Sequence, residues 1–170
     1  MPIAQWVRAH LDRYPDWEID FVDILELALP FMDEPSHPRL RQYTHQHTRD
    51  WSARVEAADA FLFVTPEYNH SSPPALRNAM DFLSQEWWRK PVGFVSYGGV
   101  SGGTRSVANL APALAVLGMV RTGANVEIPF ATTQIIDGAF VPTDKERSIL
   151  DNMLDELGEM AVLLRPAQNR

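Results

Sequence analysis

The chain has 170 residues, of which 45% are hydrophobic, and a formal net charge of -7 at pH 7. This size and composition predict one globular domain over residues 1–170, and the acidic balance argues against nucleic acid as a partner, since polyanion binding needs clustered positive charge. The lack of cysteine excludes disulfides and fits a reducing compartment. No apolar stretch approaches the roughly 20 residues that cross a bilayer. We therefore expect a cytoplasmic protein without a membrane partner.

The first third of the chain has the residue pattern of a helix, a strand and a second helix. The first helix is indicated by apolar residues at helical spacing, Ile3, Trp6, Val7, Leu11 and Tyr14. Residues 18–24 alternate apolar and acidic side chains, which is typical of a partly covered strand. A loop from Pro30 to about His47 then leads to a helix for which Thr48 is the expected N-cap.

The rest of the chain alternates between apolar runs and helical patterns. The runs predict strands over residues 60–64, 91–97 and 125–130. Helices are predicted over 73–83 and 104–117, and Gly118 is expected to end the second of them. Thr143 and Glu146 have the spacing of a capping box at the start of a long C-terminal helix.

Strands that alternate with helices predict an α/β fold with a doubly wound parallel sheet, because parallel strands need crossover connections. In such sheets, ligands bind outside the carboxyl ends of the strands. Two unusual loops leave the carboxyl ends of two predicted strands, one over residues 65–72 and one over 97–103. We therefore expect the two loops to form one pocket.

The chemistry of these loops suits a flat heterocycle. They offer backbone N–H groups, glycines, the ring of Tyr68 and the amide of Asn69, but no carboxylate pair and no nucleophile beside a base. Backbone donors and acceptors of this kind can bind the pyrimidine edge of a flavin, which would then carry the reaction. His45 and His47 lie two residues apart without an acidic cluster at ligand spacing, so we expect no metal ion.

Two linked motifs, "TPEYN" (65–69) and "SYGGVSGG" (96–103), carry a resemblance to a known family. From about residue 16 to 130 the sequence resembles the NADPH-dependent FMN reductases, flavodoxin-like flavoproteins that include quinone, azo-dye and chromate reductases. The resemblance implies an NAD(P)H-dependent FMN oxidoreductase that reduces flavin, quinone or a similar small electron acceptor by ping-pong hydride transfer. FMN and NADPH (or NADH) are the cofactors that it implies.

The resemblance also implies a set of residues around the isoalloxazine ring and no catalytic side chain. The first motif would approach the ring, largely through its backbone, with Pro66, Glu67, Tyr68 and Asn69. The second motif would form the opposite wall with Ser96, Tyr97, Gly98, Gly99, Gly102 and Gly103. Plainer interpretations exist: the glycines could form an ordinary strand-to-helix turn, Tyr68 could pack at the base of its loop, and Glu67 could cap the turn.

The resemblance is incomplete at the N-terminus. Members of the family begin with a central strand and a G-S-x-R loop that holds the FMN phosphate at the start of the first helix, whereas this sequence begins at Met1 inside the segment that corresponds to that helix. We therefore expect a sheet without its usual first strand and a start site assigned about 20–30 residues too late. We also expect FMN to bind weakly or not at all, since phosphate contacts are charge-assisted.

Two other functions stay open at this point. A flavin-free relative could act as a binding or regulatory module, and Ser71 or Ser101 with His70 could form a hydrolase site, although neither serine lies in a G-x-S-x-G elbow. Apolar residues on the helix over 73–83, around Trp87 and Trp88, and along the C-terminal helix predict a homodimer or homotetramer, and the family resemblance points to the same assembly.

Overall fold

The computed structural model describes residues 2–168. Its α-helices are α1 (Pro2–Leu11), α2 (Ile24–Leu27), α3 (Gln46–Ala57), α4 (Pro74–Asp81), α5 (Thr104–Leu117) and α6 (Asp144–Gln168). Its strands are β1 (Phe61–Pro66), β2 (Pro91–Tyr97), β3 (Val120–Arg121), β4 (Val126–Ile128), β5 (Ile135–Ile136) and β6 (Ala139–Phe140). Short 3₁₀ helices cover Pro38–Leu40, Gln85–Trp87 and Ala131–Gln134.

The main sheet is parallel and is organised around β2. Strand β1 pairs along one edge of β2, with Phe61 opposite Val92, while β3 and β4 pair in turn along the other edge. Strands β5 and β6 form a separate antiparallel hairpin. In residues 2–168, no strand pairs with the outer edge of β1.

Helices cover both faces of the sheet, as the residue pattern predicts. Phe94 and Val95 are neighbours in β2 and are both fully buried, yet they belong to different apolar clusters, because successive side chains of a strand point to opposite faces. The cluster around Phe94 includes residues of α3, α4 and α5, and the cluster around Val95 includes residues of α1 and α6. The predicted α/β class with a doubly wound parallel sheet is therefore confirmed.

Several predicted elements lie where the sequence pattern puts them. The strands predicted over 60–64 and 91–97 correspond to β1 and β2, and the helix predicted over 104–117 is α5. Gly118 follows α5 with φ +70, the left-handed conformation that favours glycine at a helix end. The capping box is also confirmed: the Thr143 N–H donates to the Glu146 carboxylate, and the Glu146 N–H donates to the Thr143 hydroxyl at 3.2 Å.

Two local predictions are wrong. Residues 18–23 are irregular and residues 24–27 form the short helix α2, so no strand is present over 18–24. Val22 and Ile24 of this segment pack against the cluster around Phe94, whereas Ile19 and Phe21 are exposed. Asp20 pairs with Arg54 of α3. Thr48 is not the N-cap of α3 but a fully buried residue of its first turn; His45 precedes the helix and donates its backbone N–H to Glu34.

The surfaces on which the oligomer prediction rested are partly covered within the chain itself. Met153, Leu154 and Leu157 of α6 pack inside the molecule, and Trp87 is 1% exposed. Trp88 remains half-exposed, so the apolar surface left for a second copy is smaller than the sequence indicates. The predicted homodimer or homotetramer stays a prediction. Within residues 2–168, none of the helices has the length and apolar character needed to span a membrane.

Candidate functional site

Three loops meet at the carboxyl edge of the parallel sheet. They are the first loop (residues 67–73) after β1, the glycine loop (98–103) after β2 and the third loop (129–134) after β4. The Glu67 N–H donates to the Tyr97 carbonyl at 3.0 Å, and the Gly98 N–H donates to the Ile128 carbonyl at 3.2 Å. Backbone hydrogen bonds therefore place the two motif-bearing loops side by side, as expected, and add the third loop beside them.

The Glu67 side chain ties the first loop to the glycine loop. Its carboxylate accepts hydrogen bonds from the Ser101 hydroxyl at 2.7 Å and from the Arg105 backbone N–H at 3.1 Å, and it pairs with the Arg105 guanidinium at 3.2 Å. The hydrogen bond from Ser101, supported by those from Arg105, lowers the pKa of Glu67 below its usual range. With its side chain only 8% exposed, Glu67 acts as a link between loops rather than as a side chain open to a ligand.

The first turn of α5 has no free backbone donor. The N–H groups of Thr104, Ser106 and Val107 donate to carbonyls of the glycine loop, and the N–H of Arg105 donates to Glu67. A helix N-terminus commonly binds an anion such as phosphate, and here the Glu67 carboxylate already occupies that position.

The four glycines of the second motif have different neighbours. A side chain at Gly103 (φ +86) would meet the Tyr97 backbone nitrogen at 2.5 Å, and one at Gly102 (φ +60) would meet the backbone of residues 128–129 at 3.1–3.3 Å. A side chain at Gly98 would touch Gly103 and Glu67 at 3.3–3.4 Å, whereas nothing lies within 4 Å at Gly99. Glycine is thus required at Gly102 and Gly103 because neighbouring backbone fills the space that a side chain would need. Gly99 is the glycine that faces open space.

Ser96 and Tyr97 end β2 beneath the glycine loop. Ser96 is fully buried, and its hydroxyl donates to the Gly102 carbonyl at 2.9 Å, so this side chain supports the loop from below. Burial raises the pKa of Tyr97, with a further contribution from nearby Tyr68, so its phenol stays protonated at neutral pH.

The first loop presents its tip to solvent. Tyr68 and Ser71 exchange two backbone hydrogen bonds of 3.0 and 2.9 Å, and Asn69 and His70 between them both have positive φ, at 48 and 64. This is the geometry of a tight two-residue hairpin turn, in which asparagine is a favoured residue. Tyr68, at 56% exposed, does not pack at the base of its loop.

Ser71 and Ser101, the two candidate nucleophiles, form hydrogen bonds with groups other than His70. The Ser71 hydroxyl donates to the Asn109 side chain at 2.9 Å, and the Ser101 hydroxyl donates to Glu67. Across the described residues no hydrogen bond joins either serine to His70, so the geometry does not provide the nucleophile–base pair of a hydrolase. The same range contains no group of three or more histidine, aspartate or glutamate side chains that could hold a metal ion.

A cleft of about 340 Å³ lies elsewhere, between the segment over residues 21–29 and α3. Its charged lining consists of three carboxylates, Asp23, Glu26 and Asp50, and one guanidinium, that of Arg54, which pairs with Asp20. The rings of Phe21, His47 and Trp51 also line it. Negative charge of this kind repels phosphate-bearing cofactors, so the cleft is a poorer candidate for a nucleotide than the edge where the three loops meet.

The comparisons with known proteins identify the family to which the chain belongs. The sequence model of the NADPH-dependent FMN reductases matches residues 2–133. The chain belongs to this family. The resemblance carried by the two motifs is therefore confirmed at the level of the family.

Two fungal proteins are among the relatives to which this chain is similar. An NAD(P)H-dependent FMN reductase of a Nectria species is 34% identical, over 93% of this chain and 88% of the relative. An NAD(P)H-dependent FMN reductase of Schizosaccharomyces pombe is 42% identical over 103 residues, which are 59% of this chain and 52% of the relative. The match thus spans about half the length of the second relative.

A solved structure has the same fold as this member of the family. It is FerB, a flavoenzyme NAD(P)H:(acceptor) oxidoreductase from Paracoccus denitrificans, with a TM-score of 0.69 and 21% sequence identity over 92% of this chain and 90% of FerB. This likeness shows the fold: an α/β architecture shared with a flavoenzyme.

Sequence reasoning found two of the three loops and missed residues of the third. The strand predicted over 125–130 is present as β4, and because β4 is parallel to β2, the loop after it lies at the same edge of the sheet. Phe130 is the large exposed residue of that loop. The same rule that selected the first two loops could have selected this one.

Proposed function

We propose that the protein is an NAD(P)H-dependent flavin oxidoreductase that binds the ring of FMN at the carboxyl edge of β1, β2 and β4 and reduces a small acceptor such as a quinone. The observation that carries the proposal is the hydrogen-bonded junction of the first loop and the glycine loop at this edge, in a chain that belongs to the FMN reductase family. The edge combines open backbone with exposed aromatic surface, which a flat heterocycle needs.

The candidate residues divide into those open to a ring and those that shape the loops. The open space beside Gly99 is where we propose that the ring lies, in contact with the exposed tip formed by Tyr68 and Asn69 and with Pro66, Tyr97 and Gly98 at its edges. Four further candidates would act indirectly by holding the loops in place: Glu67, Ser96, Gly102 and Gly103.

The bound flavin supplies the redox chemistry, taking up two electrons from NAD(P)H and passing them to the acceptor. The protein orients the ring and offers it no side chain ready to exchange a proton: the Glu67 carboxylate is bound to Ser101 and Arg105, and the raised pKa of Tyr97 keeps its phenol protonated. Because one open edge has to serve both reactants, we expect them to bind in turn, which gives ping-pong kinetics. No acid–base side chain is expected to be essential.

This edge offers fewer groups that could bind the FMN phosphate than groups that could bind the ring. The first-turn donors of α5 are all used, and α4 follows Pro73 and begins with Pro74, neither of which has a backbone N–H. We therefore expect riboflavin, which lacks the phosphate, to bind within about tenfold of FMN, a difference of about 1.4 kcal/mol or less.

Titration with FMN and with riboflavin tests the proposal. Binding is followed by quenching of flavin fluorescence, for the wild-type protein and for Gly99→Val, which places a branched side chain in the open space beside the proposed ring. The account predicts that the wild type binds both flavins and that Gly99→Val binds both more weakly. Val116 in the last turn of α5 lies at the opposite edge of the sheet, so Val116→Ala is the control and should bind like the wild type.

The binding-module alternative makes a different prediction for the same titration. A protein that uses this fold without a flavin would leave the fluorescence of FMN and riboflavin unchanged at all protein concentrations up to the micromolar range. That result would remove the oxidoreductase proposal and leave the module as the function to pursue.

We also propose a cytoplasmic homodimer or homotetramer as the working form. The absence of cysteine supports a reducing compartment, and exposed apolar side chains at Ile136 and Val141 provide surface for a second copy. Light scattering at micromolar concentration measures this directly, and a mass of 19.2 kDa, that of one chain, would contradict it.

A further inference from the structure

Phe130 is a large aromatic residue held in an unfavourable conformation at the surface. It has φ +48 and is 55% exposed, although Ile128, two residues before it, is fully buried. The left-handed region is uncommon for any residue with a side chain and is a clear outlier for a bulky one. Glycine or asparagine would adopt this conformation at lower cost.

The backbone around Phe130 is fixed directly against the glycine loop. The Phe130 N–H donates to the Gly99 carbonyl at 3.0 Å, and the Ala131 N–H donates to the Gly98 carbonyl at 3.3 Å. The Phe130 carbonyl in turn accepts from the backbone and the side chain of Thr133, both at 2.8 Å. An aromatic residue is thus held beside Gly99, the glycine that faces open space.

Folding does not account for a phenylalanine at this position. A side chain that remains more than half exposed gains little from burial, so it does not offset the cost of its own backbone conformation. Such a conformation persists because the surrounding hydrogen bonds over-determine it, and in proteins these cases cluster at functional sites. The chemistry of the residue then indicates the ligand: an aromatic face packs best against another flat ring.

We propose that Phe130 is a specificity residue whose ring packs against the flat conjugated ring of the reactant that lies on the flavin. Both the nicotinamide of NAD(P)H and a quinone have such a ring, and each would enter the edge beside Gly99. This inference rests on the proposed function. It adds the third loop to the site and assigns the selection of flat reactants to the fixed position of Phe130. No catalytic side chain is needed for that selection.

Two dead-end complexes measure this contact without turnover. Oxidised, flavin-loaded protein does not react with NADP⁺ or with 1,4-naphthoquinone, so the change that each compound causes in the flavin absorption spectrum gives its dissociation constant. Phe130→Ala should raise the dissociation constant of at least one compound by roughly two- to twelvefold, which converts to about 0.5–1.5 kcal/mol, the range for an aromatic pair. A rise for one compound alone identifies its ring as the partner, and a rise for both identifies a shared position.

Conservative variants separate stacking from general damage. Phe130→Tyr keeps the aromatic face and should bind both compounds like the wild type, whereas Phe130→Leu keeps the apolar character and should bind like Phe130→Ala. Phe130→Gly relieves the backbone conformation, so its thermal midpoint should be no lower than that of the wild type. The control Val116→Ala removes an exposed apolar side chain at the opposite edge and should change neither constant.

Three outcomes would overturn the inference. If Phe130→Ala binds flavin like the wild type and both dissociation constants stay unchanged, Phe130 does not contact the reactant, while the proposed function stands. If those constants stay unchanged and light scattering shows a smaller assembly for Phe130→Ala, the residue is a contact between copies of the chain. If the wild-type protein binds no flavin at all, the proposed function fails and this inference fails with it.

Discussion

The Glu67 carboxylate lies 2.7 Å from the Ser101 hydroxyl and joins the first loop to the glycine loop. Both loops flank the proposed flavin ring, so this bond sets the width of the site. Glu67→Gln keeps the size of the side chain but removes its charge, and we expect weaker binding of riboflavin and a lower thermal midpoint. Asp81→Asn is the matched control, because Asp81 pairs with Arg77 on the exposed surface of α4 and such pairs contribute little.

The same bond predicts a dependence of flavin binding on pH. Hydrogen bonds, first of all from Ser101, lower the pKa of Glu67 below its usual 4.5, so the carboxylate contribution is fully present above pH 4.5 and is lost as the pH falls through the lowered pKa. Riboflavin is the right ligand for this test, because the second ionisation of a phosphate near pH 6 would obscure it for FMN. Glu67→Gln should lack the acid-dependent loss, and an identical pH profile for both proteins would contradict the role of Glu67.

Gly103 and Gly99 provide a pair of substitutions with opposite expected effects. Gly103→Ala forces a left-handed conformation on a residue with a side chain and places its Cβ 2.5 Å from the Tyr97 nitrogen. We expect a loss of about 2–4 kcal/mol in the free energy of unfolding, combining the conformational cost with the steric clash. Gly99→Ala meets nothing within 4 Å, so denaturant unfolding should give a free energy close to that of the wild type.

Flavin binding distinguishes the two glycines as well. Gly99→Ala should weaken flavin binding while the protein remains as stable as the wild type, because its new methyl group enters the space proposed for the ring. Normal flavin binding by Gly99→Val, the larger substitution, would place the ring elsewhere. A fully stable Gly103→Ala protein would contradict the packing described for the glycine loop.

Lys90 predicts a change of stability at alkaline pH. Its ammonium group is buried and donates to the carbonyls of Val55 and Glu56 in the last turn of α3, at 2.7 and 2.8 Å. Burial lowers its pKa from 10.5 to about 8. Between pH 8 and pH 10 the unfolded chain therefore binds more protons than the folded protein, and this group makes the free energy of unfolding rise with pH.

Denaturant unfolding at pH 7.5, 8.5 and 9.5 measures this effect. Lys90→Met removes the ionisable group, so the rise over this pH range should be smaller in the variant than in the wild type. Lys145→Met, a change at an exposed lysine of α6, is the control and should keep the wild-type slope. Equal slopes for wild type and Lys90→Met would show that the buried amine does not titrate in this range.

Local signals in the sequence predicted much of the fold, and one of the two wrong predictions shows why local signals are not always sufficient. Gly118 after α5 and the Thr143–Glu146 capping box are decided by neighbouring residues, so the sequence was sufficient for them. Residues 18–24 alternate as a strand does, but a strand also needs a partner to accept its backbone hydrogen bonds. Without such a partner, Ile19 and Phe21 are left exposed, and Val22 and Ile24 pack against the helical cluster instead.

The candidate site was predictable as a location but not as a set of contacts. The rule for parallel sheets placed the two motifs at one edge, where the hydrogen bond between Glu67 and Tyr97 joins them. The sequence could not distinguish Gly103, whose space is filled by the protein itself, from Gly99, which faces open space, because residue identity does not determine what lies opposite. Nor could it indicate the positive φ of Phe130, which depends on the loops around it.

The central claim is that this edge holds a flavin that exchanges electrons with NAD(P)H and a small acceptor. The most direct measurement follows absorbance at about 450 nm, where oxidised flavin absorbs, in FMN-loaded protein mixed without oxygen with NADPH and then with 1,4-naphthoquinone. The account predicts that NADPH removes the absorbance, that the quinone restores it, and that Phe130→Ala slows the step whose reactant it contacts. If the bound flavin keeps its absorbance with NADPH and also with NADH, that result would contradict the account.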